Sequence, residues 1–425
     1  LPECLKKKTS RQAEGAFLKI GIYLEQYQCG GVDSHLASLL KAWPNASDKF
    51  ILITNKDNDG LRHYGPIYQK LNVKTFIFQS VSYVSVLNFL QSLPLGKYLR
   101  FGLYPFLPLF FLLQYLQGLR ILRSAQIDFL IADNGAYPGA WGALAAVLAS
   151  KRLRIKSLLI VHHNATPYQV LRKMFEKAVD RRISSSAVTI AVSQATLQTI
   201  LKVRTAFKLM DKTSFIHNGT DIESPIEPCV PLENFRREHP NKKVIGIVGR
   251  VEAYKGHEDL IRGLALLPEA IREQLIAVFV GSYTEAEKDR LLKIAFEIGI
   301  EKNIFILGFV QGSSKSIISY LDLLMVLTRD FEGFGLSLIE AMAVEVPTLA
   351  TNVGAIPEFI SHEENGYIIP PCDPKAIAQA LHLFVSEEDK WLSRAQVAKK
   401  NINLFSEKTM AQKYYNLIQD INNGS

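Results

Sequence analysis

Short apolar runs rich in β-branched residues recur along this chain, each followed by a stretch of helical periodicity, and that rhythm constrains its fold most. LKIGIYL (18–24), FILIT (50–54), KTFIF (74–78), IDFLIAD (127–133), LLIVHH (158–163) and VTIAVS (188–193) occupy the first half. KVIGIVG (243–249), LIAVFVG (275–281), NIFILG (303–308), LLMVLT (323–328) and PTLAT (347–351) repeat the scheme in the second. Strands apolar along their whole length are buried on both faces, which calls for parallel sheets joined by crossover helices. At 425 residues the chain exceeds one ordinary core. The expectation is α/β, two Rossmann-like domains with parallel sheets facing each other across a cleft. Residues 1–17 read as a polar leader, 18–217 as the first domain and 218–242, with its Pro and Glu, as a linker. Residues 243–405 read as the second domain, and 406–425 as a helix packing back toward the first.

Charge divides at the same place. Residues 1–217 hold 28 Lys+Arg against 12 Asp+Glu, a net +16; residues 218–425 hold 21 against 29, a net −8. Such segregation implies different partners, the first half facing something anionic. Two of its stretches bear on a membrane. FGLYPFLPLFFLLQYLQGL (101–119) carries no charge, yet two prolines and two glutamines interrupt it. A buried domain helix, a peripheral contact and a spanning helix all stay open for it. In QVLRKMFEKAVDRRI (169–183), Leu171, Met174, Phe175, Ala178 and Val179 fall on one helical face with basic residues around it. That stretch reads as a solvated helix or an anionic-surface contact. The four cysteines are far apart and form no CxxC pair, so neither a zinc ribbon nor a disulfide framework is indicated. The polar beginning lacks the apolar core of a signal peptide, and a cytoplasmic location is expected.

The chemistry concentrates in the second half. After LLMVLT comes RDFEGFGLSLIEAMAVEVPTLATNVGAIPEFI (329–360). Gly333 and Gly335 permit close approach of a ligand to the backbone, and the helix LSLIEAMA aims its N–H groups and dipole at the same point. Glu332 and Glu340 flank that loop; carboxylates are poor phosphate partners but good acceptors for sugar hydroxyls. Alone, a glycine loop between two surface glutamates would explain the segment. KVIGIVGRVEAYKGHEDLI (243–261) supplies the missing cations, placing Arg250 at a strand end and Lys255 just before a helix. A forked guanidinium and a compact ammonium suit a diphosphate.

These residues resemble the retaining glycosyltransferases of family 4, of the two-domain GT-B fold. The family's G-R-x4-K-G stretch is matched by Gly249, Arg250, Lys255 and Gly256, and its E-G-F-G-L-x3-E-A-M-A stretch by Glu332 through Ala343, with the E-x7-E spacing intact. HNGTDI (217–222) and NGY (365–367) match as well. The resemblance covers about residues 18–420 and is most specific in 243–370. It implies transfer of a hexose or related sugar from a nucleoside diphosphate to a glycan or lipid-linked acceptor, in cell-envelope or exopolysaccharide synthesis. Retention of configuration, with no metal and no further cofactor, is implied too. Arg250 and Lys255 would hold the diphosphate. Glu340 would bind the ribose, while Glu332 and the amides of Gly333, Phe334, Gly335 and Leu336 would address the sugar. The chain departs from the family at Glu345, usually Gly, and at Gly354-Ala355, usually Gly-Gly.

In the first half, Gly30 and Gly31 match the family's glycine loop facing the diphosphate. His162 or His163 stands where the family carries a site histidine near the transferred sugar, and alignment by the strand end favours His162. Asp57-Asn58-Asp59 spells a metal-binding D-x-D, but in KDNDGLR it reads as turn chemistry. The expected partners are a nucleotide-sugar donor, the acceptor and the anionic inner face of the plasma membrane, with no nucleic acid. A non-catalytic sugar-nucleotide-binding subunit and a GT-B epimerase or phosphorylase are the alternatives.

Overall fold

The computed structural model describes residues 17–80, 82, 86, 104–209 and 212–423. The chain forms two compact units, one of residues 1–192, 196–216 and 411–425, the other of residues 193–195 and 217–410.

The first unit is built on β1 (Lys19–Leu24), β2 (Lys49–Asn55), β3 (Lys74–Phe78), β4 (Phe129–Asn134), β5 (Lys156–Val161), β6 (Val188–Ala191) and β7 (Thr213–Phe215). All seven pair in parallel, in the order β3-β2-β1-β4-β5-β6-β7. Central β1 and β4 are buried almost end to end, which is why their sequences are apolar throughout. Edge strand β7, three residues with two exposed, left no apolar run to notice. His162 and His163, read as the end of a strand, lie just past β5 in the turn.

Helices of this unit include α1 (Gly31–Lys41), α2 (Leu107–Ala125), α3 (Trp141–Arg152) and α4 (Lys173–Ser186). α3 buries eight residues, six of them Gly, Ala or Ser, and that thinness lets α2 come close. A Cβ added to Gly118 of α2 would lie 3.4 Å from the Ala149 side chain and 3.7 Å from the Ala146 backbone. Of the uncharged stretch 101–119, residues 101–103 lie outside the described residues and 107–119 belong to α2. Among the described residues no helix is long and apolar enough to cross a membrane.

The expected single face of residues 169–183 needs correcting. A 3-10 turn (Val170–Arg172) precedes α4, and the buried stripe of α4 holds Glu176, Val179, Asp180 and Ile183. Leu171 and Met174 point outward, 91% and 87% exposed. Two acids can occupy the buried face because Arg204, with no exposed side-chain surface, meets them there: its Nη1 lies 2.8 Å from Glu176 and 3.6 Å from Asp180. Burial raises the Asp180 carboxyl, opposed by a hydrogen bond from the Tyr137 hydroxyl at 2.7 Å.

The second unit carries β8 (Lys243–Val248), β9 (Leu275–Val280), β10 (Ile304–Gly308), β11 (Leu323–Val326), β12 (Thr348–Thr351) and β13 (Tyr367–Ile369). These are again all parallel, in the order β10-β9-β8-β11-β12-β13. The stretch read as a linker contains a helix, α5 (Val230–Glu238), which buries Leu232 and Phe235. Nine residues allow two apolar anchors, too few for a periodicity to stand out. α6 (His257–Ala265) and α7 (Leu336–Ala343) follow β8 and β11. The helix Glu407–Asn423 ends the described chain; within the first unit its Tyr414 meets His35 edge-on and its Tyr415 meets Trp43.

Strand order reverses between β1 and β4 in one sheet and between β8 and β11 in the other. At such a point the connections leave in opposite directions, and a crevice opens beyond the carboxyl ends of the strands. Of the residues singled out from sequence, Gly30 and Gly31 follow β1, Arg250 and Lys255 follow β8 and Glu332 to Glu340 follow β11, while His162 and His163 follow β5, the neighbour of β4.

Candidate active site

In the second unit, β8 delivers Gly249 and Arg250, and a 3-10 turn (Ala253–Lys255) brings Lys255 to the start of α6. β11 leads to Thr328 and then to the loop holding Glu332. The two segments meet: Lys255 Nζ donates to Glu332 Oε2 at 2.8 Å, and Thr328 Oγ1 donates to the same oxygen at 2.7 Å. Burial alone would lower Lys255, but the Glu332 carboxylate outweighs it and holds the ammonium above its ordinary value. Arg250 pairs with Glu252 at 3.0 Å and keeps about a third of its side chain exposed.

Glycine is required here at definite points. Gly256 has φ 80°, and a Cβ on it would lie 2.1 Å from the Leu327 carbonyl oxygen. Gly335 caps α7 with φ 87°. Gly354 has φ 55°, and its Cβ would sit 2.1 Å from the carbonyl oxygen of Glu332, which also accepts from the Ala355 N–H at 2.9 Å. The Gly354-Ala355 departure therefore changes little: Ala355 has φ −83°, a conformation open to any residue. Glu345 is different. Its φ of 55° is left-handed, so a side chain stands where glycine costs nothing.

Glu340 is buried to 8% exposure and faces Thr220, whose hydroxyl donates at 3.3 Å. Burial pushes its carboxyl up to about 7, against the pull of Thr220, Lys315 and Ser314. The Ser193 hydroxyl donates to the Gly333 carbonyl at 2.7 Å, and His217 lies 2.8 Å from Glu358 beside the rings of Phe334, Phe359 and Phe405. Glu358 stays below its ordinary value: burial would raise it, and His217 with the Ala195 and Gln194 N–H groups overcomes that.

In the first unit, Gly30 and Gly31 open α1. Gly30 has φ −174° and open space where a Cβ would stand, so neither backbone nor packing requires glycine there. Asp33, on the first turn, accepts from the Gly30 N–H at 2.9 Å. Burial pushes it up to about 6, with Asp133 adding to the rise against that N–H. His162 Nε2 lies 2.6 Å from Asp133 Oδ1, both side chains almost wholly enclosed, and His35 of α1 meets the His162 ring edge-on at 4.6 Å. The ligand atoms of His35, Asp133 and His162 lie within 4.8 Å of one another, a set able to hold a divalent ion. His163 contacts Asn164 instead. In the D-x-D, the Asn58 side chain bonds to Thr54 and accepts from the Gly60 N–H, and Asp59 pairs with Arg62 across the start of a helix. Turn chemistry accounts for that triplet.

Sequence reasoning missed Thr328, Ser193, Glu358, His35 and Asp133. None belongs to a motif of its own; each is brought in by topology.

A profile described as Glycosyltransferase Family 4 matches residues 29–224, and one described as Glycosyl transferases group 1 matches residues 232–403. An uncharacterized glycosyltransferase of Methanocaldococcus jannaschii, MJ1607, is 31% identical over 186 residues, 42% of this chain and 46% of that protein. The N-acetyl-alpha-D-glucosaminyl L-malate synthase of Bacillus anthracis is 24% identical over 320 residues, 68% of this chain and 82% of that enzyme. The crystal structure of Anabaena Alr3699/HepE in complex with UDP superposes with a TM-score of 0.72 at 20% identity, over 95% of this chain and 100% of that one. Two profiles in sequence order, with two parallel sheets behind them, place the chain in the family 4 glycosyltransferases, with the GT-B fold.

Proposed function

We propose that the chain transfers a sugar from a nucleoside-diphosphate donor to a glycan or lipid-linked acceptor with retention of configuration and without a metal. The observation that carries this is the pairing of Lys255 with Glu332 at the switch point of the second sheet, beside the start of α7. Departure of a nucleoside diphosphate builds negative charge on phosphate oxygens while positive charge grows on the sugar. A fixed ammonium and a forked guanidinium stabilise the first without reorganising. Arg250 and Lys255 take the diphosphate; Glu332 and the backbone from Gly333 to Leu336 take the sugar. Glu340 accepts from the ribose with the lone pairs that Thr220 leaves. In the first unit Gly30 and Gly31 admit the phosphates to the backbone, since nothing in the local packing calls for a glycine at position 30. His162, with Nε2 held by Asp133, offers Nδ1 to the sugar. UDP is the first donor base to test, because HepE was solved with it.

The test is turnover of a panel of UDP-, GDP- and ADP-sugars, with the anomer of the product read by NMR. Lys255→Ala is expected to lower kcat by about 100- to 1,000-fold. Wild-type turnover and donor affinity in that variant would overturn the assignment, and an inverted product would overturn retention. Donor binding without hydrolysis or transfer would instead point to a non-catalytic subunit. Isomerised donor or phosphate-dependent cleavage would mark an epimerase or phosphorylase.

A further inference from the structure

We propose that α2 and the turn before α4 form a docking surface for the interface of an anionic lipid bilayer. Leu109, Leu112, Leu113 and Leu116 are 39–52% exposed and fall at the i, i+3, i+4, i+7 spacing of one helical stripe. The opposite side of α2 holds buried Phe111, Gln114 and Gly118, so the stripe faces away from the core. Phe111 meets Phe175 of α4 at 5.6 Å, and both meet Trp141, which sets the two segments side by side. From the second segment Val170, Leu171 and Met174 project with 87–91% of their surface exposed.

Charge identifies the occupant. α2 contains no acid, and its outward stripe continues after Leu116 into exposed Arg120 and Arg123. In residues 169–186 the two acids, Glu176 and Asp180, are buried against Arg204, while Lys173, Arg181 and Arg182 are exposed. Every exposed charge on both segments is therefore positive. Nearly bare apolar side chains on a turn do not make a flat surface for a folded partner. They suit insertion among acyl chains, with basic residues reaching up to the headgroups. Among the described residues no helix is both long and apolar enough to cross a membrane, and the contact proposed here is an interfacial one.

The proposal stands apart from the donor site, and its test needs no sugar. The full chain is sedimented with phosphatidylcholine vesicles and with vesicles that also contain phosphatidylglycerol. Binding is expected to be at least about tenfold stronger with the anionic lipid and to weaken with salt. Leu171→Ser with Met174→Ser, and separately Leu112→Ser with Leu116→Ser, are each expected to lower binding about tenfold. Arg181→Ala with Arg182→Ala should reduce the preference for anionic lipid. All these side chains are exposed, so circular dichroism and donor hydrolysis should stay at wild-type levels. No sedimentation at low salt, equal binding to both vesicles, or unchanged binding by the serine variants would each overturn the proposal. Loss of hydrolysis with vesicle binding intact would count against the donor reading alone.

Discussion

The two switch points are built from different materials. In the second sheet the switch point is drawn by the backbone: Gly256, Gly335 and Gly354 adopt positive φ, and two of them leave no room for a Cβ. In the first sheet it is drawn by side chains, with His35 from α1, Asp133 from β4 and His162 after β5 meeting from far apart in sequence. Backbone construction fixes residue identity at set intervals and so leaves a motif. Side-chain construction tolerates other solutions and leaves none.

That contrast predicts where substitution hurts most. Gly354→Ala would force a methyl group against the Glu332 carbonyl, shifting the loop that positions the carboxylate. Turnover should fall about 100-fold, since misplacement by an ångström costs on that scale. Near-normal kcat would break the contrast. Glu340 gives the next effect. Its carboxyl titrates near 7 when folded, against an ordinary 4.5, so the folded state binds the proton more tightly. Its contribution is complete below about 4.5 and is lost as pH rises to about 7, on the order of 3 kcal/mol. Urea midpoints of wild type and Glu340→Gln should diverge across that window; parallel curves would refute the burial argument. Asp133→Asn should lower kcat about tenfold by loosening His162, with donor KM little changed. Added chelator should leave turnover unaltered. If chelation abolished it, the His35–Asp133–His162 set would become a metal centre and the metal-free reading would fall. Smallest is Glu345→Gly, expected to gain about 0.5–1 kcal/mol in thermal unfolding by relieving a left-handed side chain.

Most of the fold could be read from the chain because parallel strands buried on both faces write themselves as apolar runs. β7 and β13 escaped notice at three residues each, as did α5 with two apolar anchors. The proposed donor residues of the second unit were readable for the reason given above. Asp133 was hidden inside IDFLIAD, where it looked like a strand terminus, and His35 inside an ordinary helix. Leu171 and Met174 were grouped on one helical face with Phe175, Ala178 and Val179 because the periodicity gives no sign of the 3-10 turn before α4. The charge of Glu176 and Asp180 likewise disguised a face that Arg204 makes habitable.

The seating of Gly118 on α3 matters to anyone who purifies this protein. A helix held at backbone contact cannot roll, so the four leucines of α2 have no inward refuge when nothing covers them. In free solution they find one another or whatever amphiphile is present. Aqueous preparations should therefore self-associate as they are concentrated, and a mild detergent should disperse them without touching the fold.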